Sequence, residues 1–211
     1  MRYISTQQGF SLVETLVAIT ILLLVIIGPM TISTSTAKST SFASEQAIAY
    51  FLAQEGAELA QKARDEAVLN GFNGQVNTWT SFLSTQAGSY FEPCVTTVTN
   101  GVQSPVPAAS CGLEQLTNAA GSFPGVQAVD CATIANCQLR LNTNPSLRAR
   151  YTHSNVVGSQ PTIYTRQVFL ILNTIFPNEV RVRSRVTWYT GSIRTEQSVE
   201  VETYLFNIYG N

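Results

Sequence analysis

The chain reads as an α+β protein in which a long N-terminal helix, made of a membrane half and an amphipathic half, packs on a C-terminal antiparallel β-sheet. Three observations predict this. Residues 10–32 run apolar with Glu14 as their only charge. Beyond them, small and apolar residues recur at helical spacing as far as Asn70. Residues 162–206 then alternate β-branched or aromatic residues with polar ones, the pattern of half-buried strands.

A helix over residues 10–32 is long enough to cross a hydrocarbon core of ~30 Å. An ordinary secretory signal ends in a small-residue cleavage site after a shorter apolar stretch. Here the stretch carries a carboxylate, and "STSTAKSTSFASEQ" keeps the helix going beyond it. Gly28 and Pro29 mark the expected kink. The stripe then passes through Phe42, Ala49, Leu52, Gly56, Leu59, Ala63 and Ala67. The opposite face carries Glu45, Gln54, Glu58, Gln61, Lys62 and Asp65, so the second half is amphipathic. Asn70-Gly71 supplies the stop. The predicted organisation is residues 1–9, a leader; 10–32, the apolar helix; 33–70, its amphipathic continuation; and 71–211, an extracytoplasmic domain.

The segment "GFSLVETLVAITILLLVIIGP", preceded by the short polar "MRYISTQQ", resembles the N-terminus of type IV pilins and type II secretion pseudopilins. The resemblance implies cleavage between Gly9 and Phe10, N-methylation of Phe10 as the new N-terminus, and assembly of the helix into a filament core. It also assigns Glu14. A carboxylate at the centre of a bilayer helix costs about 2.5–3.5 kcal/mol on insertion scales. The family pairs it with the methylated amine of Phe10 on a neighbouring subunit, which recovers part of that cost and fixes axial register. The competing reading is a residue snorkelling at the membrane edge. The leader departs from the family in having Arg2 as its only charged side chain, with no basic residue beside the glycine.

Formal charge is near neutral and only 12% of residues are charged, which excludes binding of a polyanion by bulk electrostatics. Lysine occurs only at Lys38 and Lys62, and the middle of the chain is rich in Thr, Ser, Asn, Gln and Gly, a surface chemistry suited to an exported protein. Cys94, Cys111, Cys131 and Cys137 are separated by 16, 19 and 5 residues, without the close pairs of a zinc site. Two disulfides allow three connectivities; short loops favour 94–111 with 131–137. Either way this region belongs outside the cytosol.

Residues 71–160 predict loops and short elements stapled by the cysteines, with apolar patches at Trp79, Phe82, Leu83, Tyr90 and Phe91. The strands follow as "TIYTRQVFLIL", "EVRVRSRVTWYT" and "IRTEQSVEVETYLF". Gly191-Ser192 predicts a two-residue type II′ turn between the last two. Pairing Thr190 with Ile193 places Arg183 opposite Glu200, Arg181 opposite Glu202 and Val182 opposite Val201. A slip of one residue would set arginines against valines.

Candidate chemistry is sparse. His153, the only histidine, stands in "RYTHSN" without a nucleophile or metal context and reads as a loop residue. "GSY", "GSF" and "GSI" lack the spaced glycines and lysine of a phosphate loop. Glu45, Glu55, Glu58, Asp65 and Glu66 read as a solvated helix face. Arg181, Arg183 and Arg185 beside Tyr189 offer phosphate and stacking contacts to nucleic acid. Their pairing with Glu200 and Glu202 argues against that role. The expectation is a structural subunit, minor in the filament, with no catalytic residues, cofactor or metal. It would be a single-pass membrane protein before assembly. Its expected partners are a prepilin peptidase/methyltransferase, other pilin or pseudopilin subunits, an inner-membrane assembly platform and membrane lipid. An adhesive or DNA-binding pilin and a tethered domain that never assembles are the alternatives.

Overall fold

The computed structural model describes residues 9, 11–72, 78–86, 89, 91–98, 109–115, 125–132, 137–143, 150–190 and 195–208. Contacts divide the chain into two units, Met1–Ser44 and Glu45–Asn211, and the boundary falls within the helix α1, Leu12–Phe72.

In the first unit every side chain from Ser11 to Ser41 is exposed. It contains one window long and apolar enough to cross a membrane, none of it buried. The hydroxyls of Thr15, Thr20, Thr31 and Thr34 each donate to a backbone carbonyl one turn back, at 2.8–2.9 Å, and so need no partner outside the helix. α1 continues through Gly28 and Pro29, where Thr31 Oγ1 donates to the Gly28 carbonyl at 2.8 Å.

In the second unit α1 buries the expected stripe. Ala49, Leu52, Gly56, Leu59 and Ala63 are buried, and Ala53, Ala57 and Ala60 widen the contact. Small residues let the helix backbone approach the sheet. Asn70 and Gly71 are both helical, so the helix outlasts its predicted stop by the one or two residues over which helix ends fray. A short helix α2, Thr78–Phe82, and a 3-10 turn, Glu92–Cys94, follow. Trp79, Phe82, Leu83 and Phe91 are core residues of this unit, clustered with Leu59, Ala63, Val168 and Val182; Tyr90 lies outside the described residues.

The sheet has eight strands: β1 Val95–Val98, β2 Cys111–Gln115, β3 Val126–Asp130, β4 Gln138–Asn142, β5 Arg150–Thr152, β6 Ser159–Asn173, β7 Glu179–Tyr189 and β8 Glu196–Phe206. β6 is its axis. One flank pairs with β7 over Thr165–Leu172, while the other is shared in succession by β4, β2 and β1. β3 extends from β2, β5 from β4 and β8 from β7. The short elements expected between 71 and 160 thus include five strands that complete the sheet. The sheet is antiparallel except for β1, which runs parallel to β6 with Val95 opposite Leu170. Four residues carry too little alternation to announce a strand or its direction. β7 alternates cleanly: Val180, Val182, Ser184, Val186 and Trp188 are buried, and Arg181, Arg183 and Arg185 point to the other face, half-buried. β8 pairs with β7 alone among the described strands.

The β7–β8 register corrects the sequence reading by two residues. Tyr189 pairs with Glu196, so six residues connect the strands where a two-residue turn was expected; Gly191 and Ser192 lie outside the described residues. Arg183 faces Glu202, Arg185 faces Glu200, Arg181 faces Tyr204 and Val182 faces Thr203. Thr190 lies outside the ladder, and its hydroxyl donates to Glu45 Oε2 on α1, at 2.8 Å. A slip of two residues keeps every side chain on its face, so alternation cannot distinguish the two registers.

Cys94–Cys111 and Cys131–Cys137 form the two disulfides, with Cα separations of 4.8 and 5.3 Å, the pairing that short loops favour. The first ties the 3-10 turn to β2; the second bridges the region between β3 and β4.

Candidate functional site

The N-terminal segment is built on a helix start. The Ser11 carbonyl accepts from the amides of Glu14 (3.0 Å) and Thr15 (3.2 Å), and α1 begins at Leu12. Ser11 therefore stands at the N-cap position with Glu14 three residues on, the Ser-x-x-Glu spacing of a capping box. A carboxylate in the first turn also meets the positive end of the helix dipole. The sequence reading did not use this signal, though "SLVE" carries it. Gly9 is exposed, and a Cβ there would meet nothing within 4 Å. Phe10, the expected new N-terminus, lies outside the described residues.

A polar cluster joins α1 to the sheet, and the sequence reading missed it. Arg166 on β6 is 1% exposed. Its Nη1 donates to Glu55 Oε2 at 2.7 Å and to the Leu52 carbonyl at 3.3 Å; its Nη2 donates to the Leu113 carbonyl at 2.9 Å. Burial pushes the guanidinium below its ordinary value, while Glu55 and then Glu114 hold it up. Glu114 is buried on β2 and accepts from the hydroxyls of Thr152 and, at 2.6 Å, Ser154. Glu55 is therefore a partner of the sheet rather than part of a solvated face. Glu66 likewise accepts from the Val126 amide at 3.1 Å, and the Glu45 carbonyl accepts from the Tyr164 hydroxyl at 3.2 Å. A guanidinium inside the apolar strand "TRQVFLIL" was the available signal, since a buried arginine requires acceptors from neighbouring elements.

His153 lies in a bend after β5, as a loop residue should, but it is buried against Gly112, where a Cβ would come within 2.7 Å of Nε2. Burial first, and the Arg166 charge second, push its pKa down to about 3, so the ring is neutral across the physiological range. Neither ring nitrogen has a hydrogen-bond partner among the described residues. The ring packs, and among the described residues no group is placed to exchange a proton with it.

On the opposite face of β7, Arg183 Nε lies 2.7 Å from Glu202 Oε1 and 3.8 Å from Glu200 Oε2, and Arg185 Nε lies 3.6 Å from Glu200 Oε1. These two arginines are neutralised in place. The third, Arg181, faces Tyr204 instead of the expected glutamate, and no ion pair joins it to another described residue. Among the described residues, no group of three or more His, Cys, Asp or Glu is placed to hold a metal.

Comparison with known proteins matches residues 4–28 to the family described as "Prokaryotic N-terminal methylation motif". No curated protein and no solved structure matches the chain. The match covers Gly9, Glu14 and the first seventeen residues of the exposed apolar helix, and beyond it lies a pilin-like layout of long helix and sheet. The chain carries, in residues 4–28, the N-terminal methylation signature of type IV pilins and pseudopilins.

Proposed function

We propose that the chain is a structural subunit, minor in abundance, of a type IV pilus or type II secretion-like filament. The observation that carries this reading is the methylation motif lying on an apolar helix that is exposed from Leu12 to Ser41. Such a surface has a stable place only in lipid or against other apolar helices. In this reading residues 1–9 are a leader that a prepilin peptidase removes between Gly9 and Phe10, and Phe10 is then N-methylated. Residues 10–32 first anchor the chain in the membrane as a single pass with residues 71–211 outside the cytosol. They later form part of the filament core, delivered by an inner-membrane platform to other pilin or pseudopilin subunits. Gly28 and Pro29 give the helix the point at which it bends to follow its neighbours, because Pro29 offers no backbone N–H. Glu14 pairs with the methylated amine of Phe10 on the adjacent subunit. The chain performs no catalysis.

Mass spectrometry of the mature protein tests the reading. The N-terminus is expected at methylated Phe10, and Gly9→Val is expected to leave the leader attached. A mature N-terminus beyond Ile32 would overturn it in favour of an ordinary signal peptide. Abundance in isolated filaments then separates a minor from a major subunit, and an unprocessed chain absent from filaments would mark a tethered domain.

A further inference from the structure

The sheet carries a second kind of surface on its arginine-bearing face. Where β1, β6, β7 and β8 lie side by side, Val98, Asn173 and Glu179 edge a cleft of about 160 Å³ together with Ile171, Arg181 and Tyr204. Ile171, Arg181 and Tyr204 form one row, each directly opposite the next across the β6–β7 and β7–β8 ladders. Phe176, in the turn between β6 and β7, completes the cleft. That turn is held by backbone bonds from the Phe176 amide to the Asn173 carbonyl (3.0 Å) and from the Glu179 amide to the Phe176 carbonyl (3.1 Å).

Two features set this cleft apart. Its aromatic residues are unusually exposed, Phe176 at 57% and Tyr204 at 49%. Its two charged residues, Arg181 and Glu179, are half-buried, and no ion pair joins either to a described residue. The register explains the first of these charges, because β8 presents Tyr204 to Arg181 and reserves both facing glutamates for Arg183 and Arg185. Asn173 Oδ1 is used by the turn, accepting from the Ile175 amide at 3.0 Å, which leaves its amide NH₂ as a donor.

We propose that this cleft binds a neutral pyranose ring of a saccharide. At about 160 Å³ and open to solvent, the cleft has room to seat one face of a single ring, a closed cavity of about 150 Å³ being enough for benzene. An anion would meet Glu179 and a cation would meet Arg181, so neither sign of charge is welcome. A ring of hydroxyls uses both, because each hydroxyl donates and accepts. The guanidinium offers donors in a planar fork and the carboxylate two acceptor oxygens, a geometry that matches neighbouring hydroxyls on a ring. The C–H face of the sugar lies on Tyr204 and Phe176, whose rings give apolar contact at low entropic cost. This assignment stands independently of whether the chain enters a filament.

The test uses the full chain in a detergent without a sugar headgroup and reads saturation-transfer NMR against the methyl pyranosides of glucose, galactose, mannose and N-acetylglucosamine. Glycine and inorganic phosphate serve as zwitterionic and anionic probes. At least one glycoside is expected to bind with a Kd of about 1 mM, the scale for a ligand of this size. Tyr204→Ala and Arg181→Met are expected to weaken it tenfold or more. Phe176→Ser, at a turn tip whose loss leaves the sheet intact, is expected to weaken it as well and guards against misfolding of the strand variants. Saturable glycoside binding lost in these variants and kept in Glu58→Ala, a helix variant away from the cleft, supports the assignment. Absence of binding to all four glycosides, binding indifferent to Phe176→Ser and Arg181→Met, or preferential binding of glycine or phosphate overturns it.

Discussion

Arg183 sits directly across the β7–β8 ladder from Glu202, with Nε 2.7 Å from Oε1, and reaches Glu200 on the diagonal at 3.8 Å. The pair is partly solvated, so it is expected to contribute only about 0.2–1 kcal/mol. Exchanging the charges, Arg183→Glu with Glu202→Arg, is expected to restore most of what either single change loses. Urea denaturation of the four proteins in the cycle measures this. If the double variant is no more stable than the worse single one, the pairing is incidental.

Glu14 has two physical roles open to it, an ion pair in the filament and a cap at the helix start, and they respond differently to substitution. Glu14→Ala removes both and is expected to leave membrane insertion intact or improved, since a costly charge is lost, while incorporation into filaments falls. Glu14→Gln keeps the side-chain acceptor that a capping box uses but not the charge. Incorporation is expected to fall as far with Gln as with Ala. Normal incorporation of the Gln variant, with loss only in Ala, would assign Glu14 to the cap.

Gly56 is a close approach of α1 to the sheet: a Cβ there would collide with the Ser184 hydroxyl and come within 3.1 Å of the Arg166 side chain. Gly→Ala inside a helix ordinarily gains roughly 0.5–1 kcal/mol. Here the sign is expected to reverse, to a loss of about 1–3 kcal/mol from overpacking. Ser184 is fully buried and its hydroxyl has no partner among the described residues. Ser184→Ala alone is therefore expected to be neutral or stabilising, and combined with Gly56→Ala to recover part of the loss. Thermal unfolding of the three variants reads out the order directly.

His153 gives the protein a pH dependence with a defined sign. Its folded-state pKa of about 3 lies below the unfolded value of 6.5, so between these pH values the unfolded chain binds a proton that the folded chain refuses. Stability from this group is complete above pH ~6.5 and is lost as pH falls toward about 3, at up to about 1.4 kcal/mol per unit. His153→Gln is expected to flatten the profile in that window, measured as denaturation midpoints from pH 7 to pH 4 against the parent. An unchanged slope would mean that other groups dominate.

The helix was legible because both its environments write a strong period: an unbroken apolar run for one half, and a stripe from Ala49 to Ala67 for the other. β7 was legible because one face is buried and the other half-buried, β8 because exposed and half-buried positions alternate, and β6 because it is a long β-branched and aromatic run; the disulfide pairing followed from loop length. β1 to β5 were not. They are three to five residues long, and their place is set by pairing with β6 directly, for β1, β2 and β4, or through β2 and β4, for β3 and β5, a long-range condition that no local window contains. The register of β8 was not legible because a slip of two residues leaves every side chain on the same face. The burial of His153, rightly placed in a loop, and the ion pair of Glu55 were not legible, because they depend on Gly112 and Arg166, each on another element.

The open flank of β8 has a consequence for solubility. Among the described strands β8, 11 residues long, is paired on one side alone, and the unpaired edge of a strand is the template on which sheets grow into aggregates. Two copies meeting there antiparallel about Val201 would set Glu200 of each chain against Glu202 of the other, twice over. Carboxylates directly opposite one another repel, so the same glutamates that neutralise Arg183 and Arg185 within a molecule act between molecules as a guard against self-addition. Where molecules crowd together, that repulsion keeps the β8 edges of neighbouring sheets apart.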